Sequence, residues 1–206
     1  MLVIKYSKTY PASFAGHTDT LRTIGRIFRR AGAKVQYSQG FNPHMELYFS
    51  PALPVGVDSN AEYLAVKMEK EENLLDRLNQ VSPPGICFLQ LWEKQVNVAA
   101  VVTSAKYVVK CKGLSAFASQ ILQPDYAITY EEKGNQTTKV VSDKIFSLQV
   151  VDKDTFQVTL ACGNTNLRCD RLVGYLLASN NLASDYQITK VTTYTNGVDM
   201  DQFLQN

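Results

Sequence analysis

The sequence predicts an α+β protein of two ferredoxin-like halves, each an antiparallel sheet backed by helices in the order βαββαβ, with an extra strand or long hairpin in the second half. Short runs that alternate apolar and polar residues recur along the chain, separated by segments whose apolar residues repeat at helical spacing. The order of these runs over residues 1–95 returns over residues 105–206, with the apolar stretch "QVNVAAVVTS" as the joint between two domains.

In the first half, "LVIKYSK" reads as a strand, and Pro11 and Gly16 break the chain before a helix. Thr18 or Asp19 is expected to cap that helix and Gly32 to end it. The runs "AKVQYSQ", "MELYFS" and "EYLAVKME" are strand-like, with Pro43, Pro51, Pro54 and Gly56 in the turns. A helix in "EENLLDRLNQV" stops at "SPPG", and "ICFLQLWE" is the last strand. In the second half, "AKYVVKCK" is a strand and "LSAFASQIL" a helix. Three strands follow, "YAITYEE", "KVVSDKIFSLQVV" and "TFQVTLAC", divided by the turns "KGNQ" and "DKD". A helix starting around Asn164 to Asn166 and running through "LRCDRLVGYLLAS", and a strand in "DYQITKVTTYT", complete the repeat.

Composition narrows the function. No apolar run approaches the roughly 18 residues of a membrane span, and "MLVIKYSKTY" lacks the features of a signal peptide, so a soluble cytoplasmic protein is expected. The four cysteines are scattered without zinc-like spacing and read as reduced thiols. The net charge of +2 conceals an asymmetry: residues 1–44 carry +6 and the remainder −4. Clustered cations of this kind mark a surface for a polyanion.

Most of that charge lies on the first helix and the turn after it. At 100° per residue, Arg22, Arg26, Arg29 and Arg30 fall within an arc of about 100°, opposite Leu21, Ile24, Ile27, Phe28 and Ala31. A solvated face usually interleaves acids for i,i+4 pairing, but between Thr20 and Gln39 there is none. Arg22, Arg26, Arg29, Arg30 and Lys34 are therefore candidate phosphate ligands. Tyr37 and Phe41 beside them offer rings on which unpaired bases can stack. Ser38, Gly40, Asn42 and Pro43 shape the turn "YSQGFNPH", and Gly56 shapes the next one. Ser59 and Glu62 either brace that second turn or present an acid to the histidines. His17 and Asp19 at the helix start, with His44 in the turn, are candidates for acid–base cleavage of RNA or for metal binding. Each also has a structural role open to it, Asp19 as a cap and His44 as a partner of backbone carbonyls.

The run from Phe14 to Met68 resembles the radical-SAM-linked family of uncharacterised proteins, found fused to or encoded beside radical SAM proteins. The family pattern reads F-L/V-S-H-L-D, then a helix ending R-R-A-G, then Y-S-x-G-F-N-P-H/R-P, then L-P-x-G-x-x-S-x-x-E-Y. Phe14, His17, Asp19, Arg29, Arg30, Ala31, Gly32, Tyr37, Ser38, Gly40, Phe41, Asn42, Pro43, Leu53, Pro54, Gly56, Ser59, Glu62 and Tyr63 match it. Gly16, Thr18 and Met45 depart from it. The resemblance covers residues 2–70 and implies a companion of a radical SAM enzyme, with RNA or the ribosome as a further partner. The chain has no C-x-x-x-C-x-x-C, so the cluster chemistry belongs to the partner and no cofactor is expected here. Three functions follow as expectations: an RNA-binding accessory module, a metal-independent endoribonuclease using His17 and His44, or a docking module for the radical SAM partner without RNA.

Overall fold

In the computed structural model, which describes residues 1–132 and 134–206, the chain runs β1 (Leu2–Lys8), α1 (His17–Arg30), β2 (Leu47–Phe49), β3 (Asp58–Val66), α2 (Leu74–Gln80) and β4 (Ile86–Glu93). A short α3 (Val98–Val101) leads into β5 (Ser104–Cys111), a 3₁₀ helix over Leu114–Leu122, β6 (Ala127–Glu132), β7 (Asn135–Val140), β8 (Ile145–Val150) and β9 (Thr155–Ala161). The chain closes with α4 (Cys169–Ser179), β10 (Tyr186–Thr195), β11 (Val198–Asp199) and α5 (Met200–Gln205). The fold is mixed α+β with a mostly antiparallel sheet.

Among the described residues one sheet runs β4-β1-β3-β10-β5-β9-β8, with β2 also on β3 and β11 also on β10. Its pairings are antiparallel except at the centre, where β3 and β10 run parallel through Asp58 with Thr189 and Ser59 with Lys190. On either side of that seam the order is the same: β4-β1-β3-β2 before it and β10-β5-β9-β8 after it. β6 and β7 form a separate hairpin.

Strand alternation sends two sets of side chains to opposite faces. On one face Leu2, Ile4 and Tyr6 of β1 meet Leu64 and Val66 of β3 beneath Ile24, Ile27 and Phe28 of α1 and Leu74 and Leu78 of α2. The same face of the second half carries Tyr107, Val109, Phe156 and Val158 under Leu172, Val173 and Leu176 of α4. On the reverse face Val3, Ala61, Tyr63, Ala65 and Trp92 are covered by Val98 of α3 and by Met200 and Leu204 of α5. The Tyr63 hydroxyl donates to Asp201 at 2.6 Å, and Asp201 also takes Lys5 at 2.5 Å, so one carboxylate ties α5 to two strands. Burial and the Asp201 charge hold the Tyr63 phenol well above its usual range.

Several sequence expectations change in the fold. "AKVQYSQ" forms only a single bridge, Tyr37 to Met45, because Val35 alone finds a buried place and the backbone bonds go to Lys67 and Glu46 instead. "LSAFASQIL" winds as a 3₁₀ helix, whose rise carries nine residues across about 18 Å rather than about 13.5 Å. "KVVSDKIFSLQVV" divides at Val141, which is buried under Tyr126 and turns through a 3₁₀ segment at Ser142–Lys144. The polar trio Ser-Asp-Lys is where it breaks. The turn expected at 133–136 begins at Lys133, outside the described residues.

Replacing Asp201 by Ala leaves Lys5 and the Tyr63 hydroxyl without their acceptor. We expect a loss of about 1–3 kcal/mol in urea unfolding, with faster proteolytic clipping of α5.

Candidate nucleic-acid interface

The arginine helix is set by its own periodicity. Ile24, Gly25, Ile27 and Phe28 are buried, and Arg22, Arg26, Arg29 and Arg30 are exposed on the other side. Gly16, in extended conformation, is the residue before the first turn, so neither Thr18 nor Asp19 is the cap. Asp19 lies in the first turn, 3.8 Å from Arg22, with both side chains 68% exposed, a contact that water and salt largely screen. Arg26, Arg29 and Arg30 enter no ion pair among the described residues. The backbone N–H of Lys34 donates to Glu71 at 2.8 Å, leaving the Lys34 ammonium exposed. Burial alone would raise the Glu71 carboxyl, but hydrogen bonds from Arg77 and from Lys34 hold it below its usual range.

After α1 the chain turns at Gly32, whose φ of 65° suits a residue without a Cβ, and makes a projecting loop. The Ser38 N–H donates to the His44 carbonyl at 2.9 Å, the His44 N–H returns to Ser38 Oγ at 3.1 Å, and Ser38 Oγ meets His44 Nδ1 at 2.8 Å. This clasp makes His44 the brace of its own loop. Between its jaws Gly40, Phe41, Asn42 and Pro43 are all exposed, and the Phe41 ring is entirely in solvent. Tyr37 is 45% exposed at the base.

His17 lies elsewhere. It is exposed at the start of α1, and its ring stands edge-on to Phe49 at 6.4 Å. Behind it is a small cavity of about 10 Å³, measured at the centres of water-sized spheres and lined by Tyr6, Lys8, Thr20, Ser50, Leu53 and Glu62, room for about one water. The structure thus brings His17 and Glu62 to one cavity. Among the described residues no hydrogen bond or ring contact joins either to Asp19 or His44. Among the described residues no group of three His, Cys, Asp or Glu side chains is placed to hold a metal ion.

The wall of that cavity is the seam of the sheet. Glu62, Lys8 and Lys190 are each 3% exposed. Lys190 Nζ meets Glu62 Oε1 at 2.5 Å and Ser59 Oγ donates to the same oxygen at 2.7 Å, while Lys8 Nζ donates to the Ala15 carbonyl at 2.7 Å. Burial lowers the Lys8 ammonium, and the Glu62 charge opposes that shift. Gly56 (φ 82°) gives its N–H to the Ser13 carbonyl, closing the neighbouring turn against the segment before α1. Ser59 and Glu62 are therefore bracing residues of the seam.

Lys8 and Lys190 each stand at a core-facing position of a strand, Lys8 after Leu2, Ile4 and Tyr6 and Lys190 two after Ile188, a charge where alternation calls for an apolar residue, but nothing in the sequence pairs them with Glu62. An exposed aromatic pair near the start of α1, Tyr10 with Phe14 at 6.2 Å, leaves no periodic signal in the sequence, because each ring sits among turn residues.

Fold and site together define a mixed α+β protein with a basic helix and a braced aromatic loop on its surface. The chain belongs to the family described as "Uncharacterized protein conserved in bacteria (DUF2344)", whose pattern matches residues 1–168. No curated protein matches it. Among solved structures it is similar to a chain of "Structure of H/ACA RNP bound to a substrate RNA containing 2'-deoxyuridine", with TM-score 0.50 and 9% identity, covering 98% of this chain and 50% of that one. A chain of "Crystal Structure of a Cbf5-Nop10-Gar1 Complex" gives TM-score 0.49 and 10% identity over 93% of this chain and 48% of that one. This chain therefore spans about half the length of these solved chains, and at such identity the likeness is one of fold.

Removing one partner of the seam strands a buried charge. Glu62→Ala is expected to cost about 3–5 kcal/mol by urea unfolding, and Glu62→Leu combined with Lys190→Met to recover most of it. A cost for Glu62→Ala within about 1 kcal/mol of a surface substitution would contradict this role.

Proposed function

We propose that this protein is an RNA-binding accessory module, acting in the cytoplasm beside a radical SAM enzyme in RNA or ribosome-linked modification or processing. In this reading residues 1–95 and 105–206 are two ferredoxin-like domains, a description supported by the strand order repeated on either side of the β3–β10 seam. The radical SAM partner is supported by the motifs from Phe14 to Tyr63 alone.

One observation carries the RNA reading: the outward face of α1 presents Arg22, Arg26, Arg29 and Arg30 with only Asp19 to answer them, and it answers Arg22 weakly. Cations held in a row without carboxylates attract phosphates, by charge and by the paired N–H groups of each guanidinium. Lys34 lies beyond the row with Glu71 beside it, and the rings of Tyr37 and Phe41 stand within the following loop where unpaired bases can stack. His44 fixes that loop through Ser38, which gives it a positioning role. The RNP likeness is a likeness of fold, so the argument rests on the arginines.

A docking role has its own support in Phe41, a wholly exposed aromatic on a braced turn, the kind of anchor that fills a pocket on a partner protein. The two readings separate experimentally. Arg26→Ala combined with Arg30→Ala should weaken RNA binding uniformly across sequences and lower the slope of log affinity against log salt by about 1.4–1.8, leaving the melting temperature unchanged. RNA binding that keeps its affinity and slope in this variant would remove the reading.

A further inference from the structure

The reverse face of the second half of the sheet is open beyond β10. α3 and α5 close that face over the first half, through Val98, Met200 and Leu204, and α5 also packs on β10. Beyond them β5 turns Lys106, Val108 and Lys110 to that face, with Ser104 buried at its start, because Ala105, Tyr107, Val109 and Cys111 go to the core. Cross-strand register sets Thr159 beside Lys106, Thr155 beside Lys110 and Tyr194 beside Ser104.

On this face lies a groove of about 380 Å³ lined by Thr103, Ser104, Phe146, Thr159, Tyr194 and Asn196. That is within the roughly 300–1,000 Å³ range of small-molecule sites. Phe146 of β8, 58% exposed, and Tyr194 of β10 both line it, and Lys106 Nζ lies 5.9 Å from the Tyr194 ring centroid. The rim is fixed by backbone: Thr103 N–H donates to the Tyr194 carbonyl at 2.9 Å, and Asn196 N–H donates to Thr103 Oγ1 at 2.8 Å. Lys106 and Lys110 enter no ion pair among the described residues, and β5, β8, β9 and β10 hold no carboxylate. Asp199 of β11, the cross-strand partner of Tyr194, has its carboxylate engaged by the Asp201 N–H at 2.8 Å. Asp58 approaches only at the margin, accepting from Gln187 at 3.4 Å.

We propose that this groove is a second nucleic-acid site, which stacks one unpaired base of a single-stranded RNA on Phe146, in the groove that Tyr194 also lines, while Lys106 and Lys110 follow the adjoining phosphates. Aromatic walls with lysines spaced along one strand suit a single strand, whose bases are free to leave the stack. The proposal rests on the RNA reading above but uses a different face of the sheet from α1, so the groove takes a different segment of the RNA from the one that meets the arginines.

The test uses the full chain and a six-nucleotide RNA carrying one 2-aminopurine. Wild type should bind it and quench its fluorescence. Phe146→Ala should weaken binding at least tenfold and abolish the quenching. Lys106→Ala with Lys110→Ala should retain the quenching and lower the salt slope by about 1.4. Both variants change exposed or half-exposed side chains, and circular dichroism confirms that they fold. Binding that is unchanged in Phe146→Ala overturns the groove while leaving the α1 reading intact; failure of wild type to bind any RNA removes both. A wild-type dimer through the β8 edge, abolished by Phe146→Ala and accompanied by no quenching, overturns the groove in favour of a second copy of this chain.

Discussion

The seam between the two halves is organised around one buried carboxylate. β3 and β10 touch in register at only two residue pairs, too few for backbone hydrogen bonds alone to specify the joint. Glu62 supplies what they lack: it faces Lys190 from the other half, accepts from Ser59 in its own strand, and neighbours Lys8 of β1. Thr193 adds a bond to the Ala61 carbonyl at 2.7 Å across the same seam. In a medium from which water is excluded, each of these charges is costly alone and tolerable only in company. A slipped or separated seam would strand them, so the cluster selects one arrangement of the halves even if an apolar joint of equal volume were as stable.

The same cluster reaches the outer surface. Lys8 closes on the Ala15 carbonyl, two residues before α1 begins at His17, so the start of the arginine helix is anchored to the seam. Ile24, Ile27 and Phe28 hold the rest of the helix on the sheet. The arginines are thus carried on a rigid element, while the aromatic loop is held by its own Ser38 and His44 clasp. Charge is presented from the helix and ring surface from the loop, and each has a separate mechanical support.

Much of the fold is legible in the sequence because alternation and helical spacing are local. β1, β4 and the apolar stripe of α1 follow directly from such patterns. What escapes is settled by tertiary partners. "AKVQYSQ" has the alternation of a strand but bonds to Lys67 and Glu46 around a loop. The β6–β7 hairpin leaves the main sheet because Val141 is taken into the core beneath it. At the site the arginine face is legible, since side-chain angle follows from position along a helix. The convergence of Lys8, Glu62 and Lys190 is not, since Glu62 and Lys190 lie 128 residues apart and meet only when the halves dock.

The claim at the centre of this account is that the basic face of α1 holds RNA, and the most direct measurement is the nucleic-acid content of the purified protein. The ratio of absorbance at 260 and 280 nm, taken after purification at low and then at high salt, reads it without any assumption about sequence. A basic face that holds RNA gives a raised ratio at low salt, its fall at high salt, and an enriched set of RNAs in what elutes. Protein that is free of nucleic acid at low salt and does not take up added RNA would contradict it.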